Sequence, residues 1–136
     1  MKNKFIIVGA GRLGSYVANS LSMKGENVII IDSNKTKLDF LPVTFSGLSF
    51  FGDATDASVL EKSSIESAKC IMAFTDDDNI NIFIGHIAKE FYDVPSIIVR
   101  LNDYDKSQLV VSFGIKTISP FGLSVGQLDK LLKGIK

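Results

Sequence analysis

The feature that most constrains this chain is a glycine-rich hexapeptide, Gly9-Ala10-Gly11-Arg12-Leu13-Gly14, entered directly from the apolar run Phe5-Ile6-Ile7-Val8. Each glycine has a mechanical reason at that spacing. Gly9 permits a tight turn out of a strand. Gly11, lacking a Cβ, lets backbone approach a pyrophosphate closely, and Gly14 lets the following helix pack against a sheet. The N–H groups that open such a helix have no partner within it, and the helix dipole favours negative charge there. A glycine turn alone is a weak signal. Here a second apolar run, 28–31, ends on Asp32 at the separation of about 20 residues that a dinucleotide-binding unit requires. A carboxylate at that point accepts hydrogen bonds from adenosine ribose hydroxyls and repels a 2′-phosphate, which disfavours NADP. The bland alternative is a packing turn, with Asp32 capping the next helix.

The rest of the chain keeps the same alternation. Short apolar runs predict strands at 4–8, 28–31, 48–51, 70–74, 96–100 and 116–118. Several are apolar throughout, as expected when both faces of a sheet are covered. Helical periodicity predicts 12–24, with Leu13, Val17, Ser20 and Leu21 on one face, and 77–92, with a stripe of Ile80, Phe83, Ile84, Ile87 and Phe91. Further helices are expected at 104–113 and 122–133, with shorter ones at 35–40 and 56–62. Right-handed crossovers then give an α/β, Rossmann-type doubly wound fold. Its six-stranded, mainly parallel sheet has the order 3-2-1-4-5-6, with helices on both faces.

Composition excludes several function classes. Fifteen Lys and Arg balance fifteen Asp and Glu, so the formal net charge is zero, which argues against a nucleic-acid partner. No apolar run approaches the roughly 18 to 20 residues that span a bilayer as a helix. Cys70 is the one cysteine; without an intrachain disulfide, the chain suits a reducing cytoplasm. Its position opening an apolar strand marks it as core, without the electropositive setting of a reactive thiol. His86 falls off the apolar stripe of its helix and reads as a surface or subunit-facing residue. Asp76-Asp77-Asp78 reads as a solvated, dipole-favoured helix start, because consecutive side chains there diverge too far to share a metal. With no Walker-type loop and no catalytic set in view, the expectation is a protein that is not an enzyme.

With the Gly-Arg-x-Gly turn, the segments Gly52-Asp53-Ala54-Thr55-Asp56, Ala73-Phe74-Thr75-Asp76-Asp77-Asp78-Asn79 and Val99-Arg100 make the chain resemble one family. It is similar to the TrkA N-terminal (RCK/KTN) domain, the regulatory nucleotide-binding domain of potassium channels and transporters. Gly114-Ile115 and Ile118-Ser119-Pro120 match the family's ending, so the likeness covers nearly the whole chain. The resemblance implies a phosphate cradle of Gly9, Ala10, Gly11, Arg12 and Leu13, and a ribose site at Asp32 with Ser33 and Lys37 nearby. It places Asp53 and Ala54 beside the adenine, and Phe74 and Thr75 against the middle of the ligand. Arg100 would reach a distal or neighbouring-subunit phosphate. Three alternatives stay open: Arg12 as a solvated arginine, Asp53 as a loop cap and Arg100 as a structural ion pair.

The resemblance further implies NAD(H) or ATP/ADP as a regulatory ligand, assembly as a homo-oligomer (a dimer or larger ring), and a membrane potassium channel or transporter as partner. The chain would then be cytoplasmic, held at the inner face of the membrane through that partner. The helix at 122–133 either packs between subunits or folds back on its own sheet. Residues 1–136 are expected to form a single dinucleotide-binding domain without the C-terminal ligand domain of many family members. Such a domain is either cut from a longer protein or a standalone subunit. The competing reading is the cofactor domain of an NAD-dependent oxidoreductase that lacks its substrate domain.

Overall fold

The computed structural model describes residues 1–135. Its order is β1 (Lys4–Val8), α1 (Arg12–Met23), β2 (Asn27–Asp32), α2 (Lys35–Asp39), β3 (Leu48–Phe51), α3 (Ala57–Lys62), β4 (Ala68–Ala73), α4 (Asp78–Tyr92), β5 (Ser96–Arg100), α5 (Gln108–Val111), β6 (Lys116–Ile118) and α6 (Pro120–Lys133). Single 3-10 turns, Ile65–Ser67 and Tyr104–Ser107, precede β4 and α5. The strands form one sheet in the order β3-β2-β1-β4-β5-β6, and all five pairings are parallel. This is the doubly wound arrangement expected from the alternation of apolar runs.

Side-chain alternation explains why the central strands are apolar throughout. In β1, Ile6 and Val8 join the core beneath α4, whereas Ile7 faces the core beneath α1 with Ala18, Val28 and Ile30. Ile6, Ile7, Ile30, Ile31 and Ile71 are fully enclosed, and each such side chain contributes about 1.5–3 kcal/mol through burial.

The helices sit on small residues as well as on part of the apolar stripes read from the sequence: Ile84 is enclosed, and Ile80 and Ile87 pack against the core. In α1 the buried positions are Gly14, Ala18 and Ser22, with Val17 and Leu21 packed beside them. In α4 they are Asp78, Asn81, Ile84, Gly85 and Ala88, while Phe83 and Phe91 face outward. A Cβ on Gly85 would stand 3.0 Å from Val99 Cγ1, so a small residue is what lets α4 lie close to β5. The expected helix over 104–113 is a 3-10 turn followed by one short α-turn. Helix α6 starts two residues before the expected 122, because Ser119 caps it and Pro120 suits its first position.

None of α6's residues is buried: Phe121, Leu123, Leu128, Leu131 and Leu132 are all exposed. Of the two readings of this helix, folding back on its own sheet is therefore not what the structure shows. Among the described residues, no helix is long and apolar enough to cross a membrane.

Candidate functional site

The carboxyl ends of β1 to β4 open into a crevice of about 340 Å³ whose lining includes Gly9, Gly11, Asp32, Lys37, Asp53 and Thr75. Its floor is the glycine turn, and the three glycines are required for different reasons. Gly9 has φ +109°, and a Cβ there would stand 2.6 Å from the Phe74 carbonyl oxygen. A Cβ on Gly14 would overlap the carbonyl oxygen of Gly9, so this glycine fixes the contact of α1 with the turn. Gly11 differs. Its backbone is ordinary extended chain (φ −73°, ψ −164°), and a Cβ would meet nothing within 4 Å. The fold does not need a glycine at Gly11.

Gly11 is also the N-cap of α1 and has no side chain to close the helix's first N–H groups. By contrast, α2, α3, α4 and α6 are capped by Asn34, Asp56, Asp77 and Ser119. The opening N–H groups of α1 thus have no capping side chain, at the positive end of the dipole.

Asp32 is buried at the end of β2 and links both halves of the site. Its Oδ2 accepts the Ala10 N–H at 2.7 Å and its Oδ1 accepts the Asn34 N–H at 2.7 Å. Capping of α2 falls to Asn34, whose side chain accepts from Thr36 and Lys37, so the helix-cap alternative for Asp32 is displaced. Each carboxylate oxygen keeps further lone-pair capacity for a ligand hydroxyl. Across the crevice, Asp53 Oδ1 accepts from both the hydroxyl and the N–H of Thr55, at 2.7 and 2.9 Å. These bonds, the hydroxyl first, hold its carboxyl below the ordinary carboxylate range, so it is ionised at neutral pH. Ala54 is buried beside it and lines the same space.

The β4–α4 corner is organised by two buried polar residues of α4. Asn81, fully enclosed, accepts from the Thr75 N–H and hydroxyl at 3.0 and 2.6 Å. Its amide donates to the carbonyls of Thr75 and Arg100 at 3.0 and 2.8 Å. Asp78 accepts the N–H groups of Asn102 and Asp103, both at 2.8 Å, and so fixes the loop after β5. The Asp76-Asp77-Asp78 run is therefore three separate devices rather than one solvated helix start. Asp77 caps α4, Asp78 is buried and bonded, and exposed Asp76 lies 3.5 Å from Lys37 Nζ and 3.8 Å from Arg100 Nη1.

Of the residues expected from sequence, Gly9, Gly11, Asp32, Ser33, Lys37, Asp53, Ala54, Phe74 and Thr75 line one crevice. Ala10, Arg12, Leu13 and Arg100 do not line it. Ala10 supplies the N–H held by Asp32, Arg12 is exposed at the start of α1, and Arg100 is paired at the rim. Val8, Ile31, Asn34, Gly52, Asp76, Asp77 and Ile80 complete the lining and were not anticipated as site residues. A polar residue at helical spacing between Asp78 and Ile84 was the available signal for Asn81.

Two other readings gain detail. His86, expected to be surface or subunit-facing, is half-buried: its Nε2 lies 3.1 Å from the Leu109 carbonyl oxygen and its ring meets Phe113 edge-on. Cys70 is core, as expected, yet Lys116 and Lys69 are near enough to favour its thiolate. Burial outweighs them and pushes the thiol's pKa up. Among the described residues, no group of three or more His, Cys, Asp or Glu could hold a metal ion.

The TrkA-N domain model matches residues 5–120. A Trk system potassium uptake protein TrkA homolog from Pyrococcus abyssi is 38% identical over 104 residues, covering 76% of this chain and 46% of that protein. The chain spans about half the length of the curated relatives it matches. Among solved structures, GsuK bound to ADP is 26% identical with a TM-score of 0.82, covering 99% of this chain and 35% of that one. The GsuK channel bound to NAD is also 26% identical, with a TM-score of 0.80 over 96% of this chain and 23% of that one. Glycine turn, acidic β2 terminus and β4–α4 corner stand together in one parallel sheet over nearly the full matched length, and the chain belongs to the TrkA-N domain family, whose members are regulatory rather than catalytic.

Proposed function

We propose that this domain binds an adenine nucleotide, NAD(H) or ATP/ADP, in the crevice at the end of β1, as a regulatory ligand. The observation that carries this reading is Gly11, a glycine that neither backbone conformation nor packing requires, at an uncapped helix start. In the proposed pose the phosphates lie on the opening N–H groups of α1, with Arg12 and Leu13 at the outer edge. The ribose hydroxyls bond to Asp32, with Ser33 and Lys37 alongside. Adenine lies by Asp53 and Ala54, and Phe74 and Thr75 flank the middle of the ligand. Support for the ligand class comes from GsuK, solved with ADP and with NAD.

The controlled process is potassium transport by a membrane channel or transporter at the inner face of the membrane. The kinship with TrkA potassium uptake proteins supports that assignment. The exposed apolar face of α6 supports assembly into a homo-oligomer, in which ligand state alters subunit packing. Calorimetric titration with ATP, ADP, AMP, NAD⁺ and NADH tests the reading directly. Micromolar or tighter binding of at least one is expected, and binding of none refutes it.

A further inference from the structure

Lys37, Asp76 and Arg100 form a chain of charge across the open side of the crevice. Lys37 lies on α2, after β2, and Asp76 lies between β4 and α4. In the sheet β1 separates β2 from β4, so the Lys37–Asp76 contact spans the two flanks of the glycine turn. Arg100, ending β5, approaches the same carboxylate from the far side through Oδ1, while Lys37 uses Oδ2.

The chain is weakly made. Its N–O separations, 3.5 and 3.8 Å, exceed the roughly 2.7–2.9 Å of a good charge-assisted bond. The Asp76 side chain is 78% exposed, and exposed pairs of this kind contribute little to stability. Arg100 is less exposed, and among the described residues its buried Nε has no hydrogen-bond partner. Its Nη2 reaches Asn102 at only 3.3 Å. Two cations at the rim of an anion-binding turn thus share one loosely held carboxylate, and one of them has donor capacity left over.

We propose that Asp76 is an internal stand-in for a ligand phosphate: it occupies Lys37 and Arg100 when the crevice is empty and is displaced when a polyphosphate enters. The inference rests on the nucleotide reading above and adds a selectivity rule to it. A ligand must compete with Asp76 through its phosphates, so this residue sets how strongly the site distinguishes a diphosphate from an uncharged nucleoside. The adenosine end is uncharged: Lys37 lies alongside its ribose in the proposed pose, but a neutral hydroxyl gains little when that cation is released from the Asp76 strap.

The test uses the full chain and its Asp76→Asn variant, titrated with adenosine, AMP, ADP and inorganic pyrophosphate at low and high salt. The variant keeps size and polarity at an exposed position. With Asp76 neutral, a phosphate takes the two cations without breaking their exposed ion pairs, which is expected to tighten ADP and pyrophosphate by about fivefold at low salt. The gain shrinks at high salt, and adenosine changes less than twofold. Equal ADP affinity in the two proteins overturns the strap and leaves nucleotide binding standing, as does a gain for adenosine as large as that for ADP. If neither protein binds any nucleoside or nucleotide, the nucleotide reading fails, and pyrophosphate still decides the strap. Tighter pyrophosphate binding by the variant supports it; equal or absent binding overturns it.

Discussion

Substituting Gly11 by alanine separates a ligand-driven glycine from a fold-driven one. The new Cβ meets no heavy atom within 4 Å, and the backbone there is one that any L residue adopts. Two small terms oppose each other. Alanine is a poorer N-cap than glycine, at a cost of up to about 1 kcal/mol, and it restricts the unfolded chain, which returns about 0.4–1 kcal/mol. Net stability should stay within about 1 kcal/mol, a Tm shift of no more than about 4 °C for a domain of this size. Binding should suffer far more. In the proposed pose the methyl group stands where a phosphate must come within hydrogen-bond distance of the helix's opening N–H groups, and each such charge-assisted bond is worth about 1.5–3 kcal/mol. Loss of one or two predicts at least tenfold weaker binding, and up to about ten-thousandfold. Gly14→Ala is the contrast: its Cβ overlaps the Gly9 carbonyl oxygen, so the variant should fold poorly or not at all. Thermal denaturation followed by titration with ADP distinguishes the cases. A Gly11→Ala protein that folds and binds ADP as tightly as the parent refutes the reasoning. So does one that unfolds like Gly14→Ala.

The Asp32 carboxylate should make NAD⁺ bind at least tenfold more tightly than NADP⁺; parity in competitive titration would remove the ribose assignment. Ligand-side chemistry is the cleaner probe here, because Asp32 also holds the Ala10 and Asn34 N–H groups and its loss would disturb the turn itself. Asn81→Ala deletes four hydrogen bonds to Thr75 and Arg100, at about 1 kcal/mol each. Urea denaturation should show a loss of about 2–4 kcal/mol, and a change under 1 kcal/mol would mean the network is slack. Asp77→Ala removes the α4 cap and should cost about 1 kcal/mol in the same assay. Cys70, buried and with its thiol's pKa pushed up, should react with a thiol reagent only as fast as the protein unfolds; rapid labelling of the native state would contradict its enclosure.

The sheet was legible because its signals are local and agree with one another. Apolar runs that fill both faces, glycines at fixed offsets and a carboxylate closing β2 each follow from neighbours in the chain. Together they specify a parallel doubly wound order that the strand pairings match. The helix faces were less legible. Phe83 and Phe91 complete an apolar stripe by spacing, yet they lie outside while Asn81 and Gly85 lie within. Counting hydrophobicity ranks a phenylalanine above a glycine. Close packing of α4 on β5 ranks them the other way, because only a small residue fits beside Val99.

The same distinction separates the parts of the site. Gly9, Gly11 and Asp32 could be found from sequence because their spacing is set by one strand–turn–helix unit and the strand beside it. Asp76 could not, since its partners Lys37 and Arg100 lie 39 residues before and 24 residues after it and meet only through the order of the sheet. Read along the chain, three consecutive aspartates look like one charged helix start. In the fold each answers a different need: Asp77 satisfies backbone donors, Asp78 anchors a neighbouring loop, and Asp76 is left at the mouth of an anion site facing two cations. On the proposal above, a carboxylate with no structural duty in that position lowers affinity for the anions the turn would attract. A regulatory site benefits from such a counterweight, because occupancy then responds to changes in ligand charge and concentration rather than saturating with whichever nucleotide is most abundant.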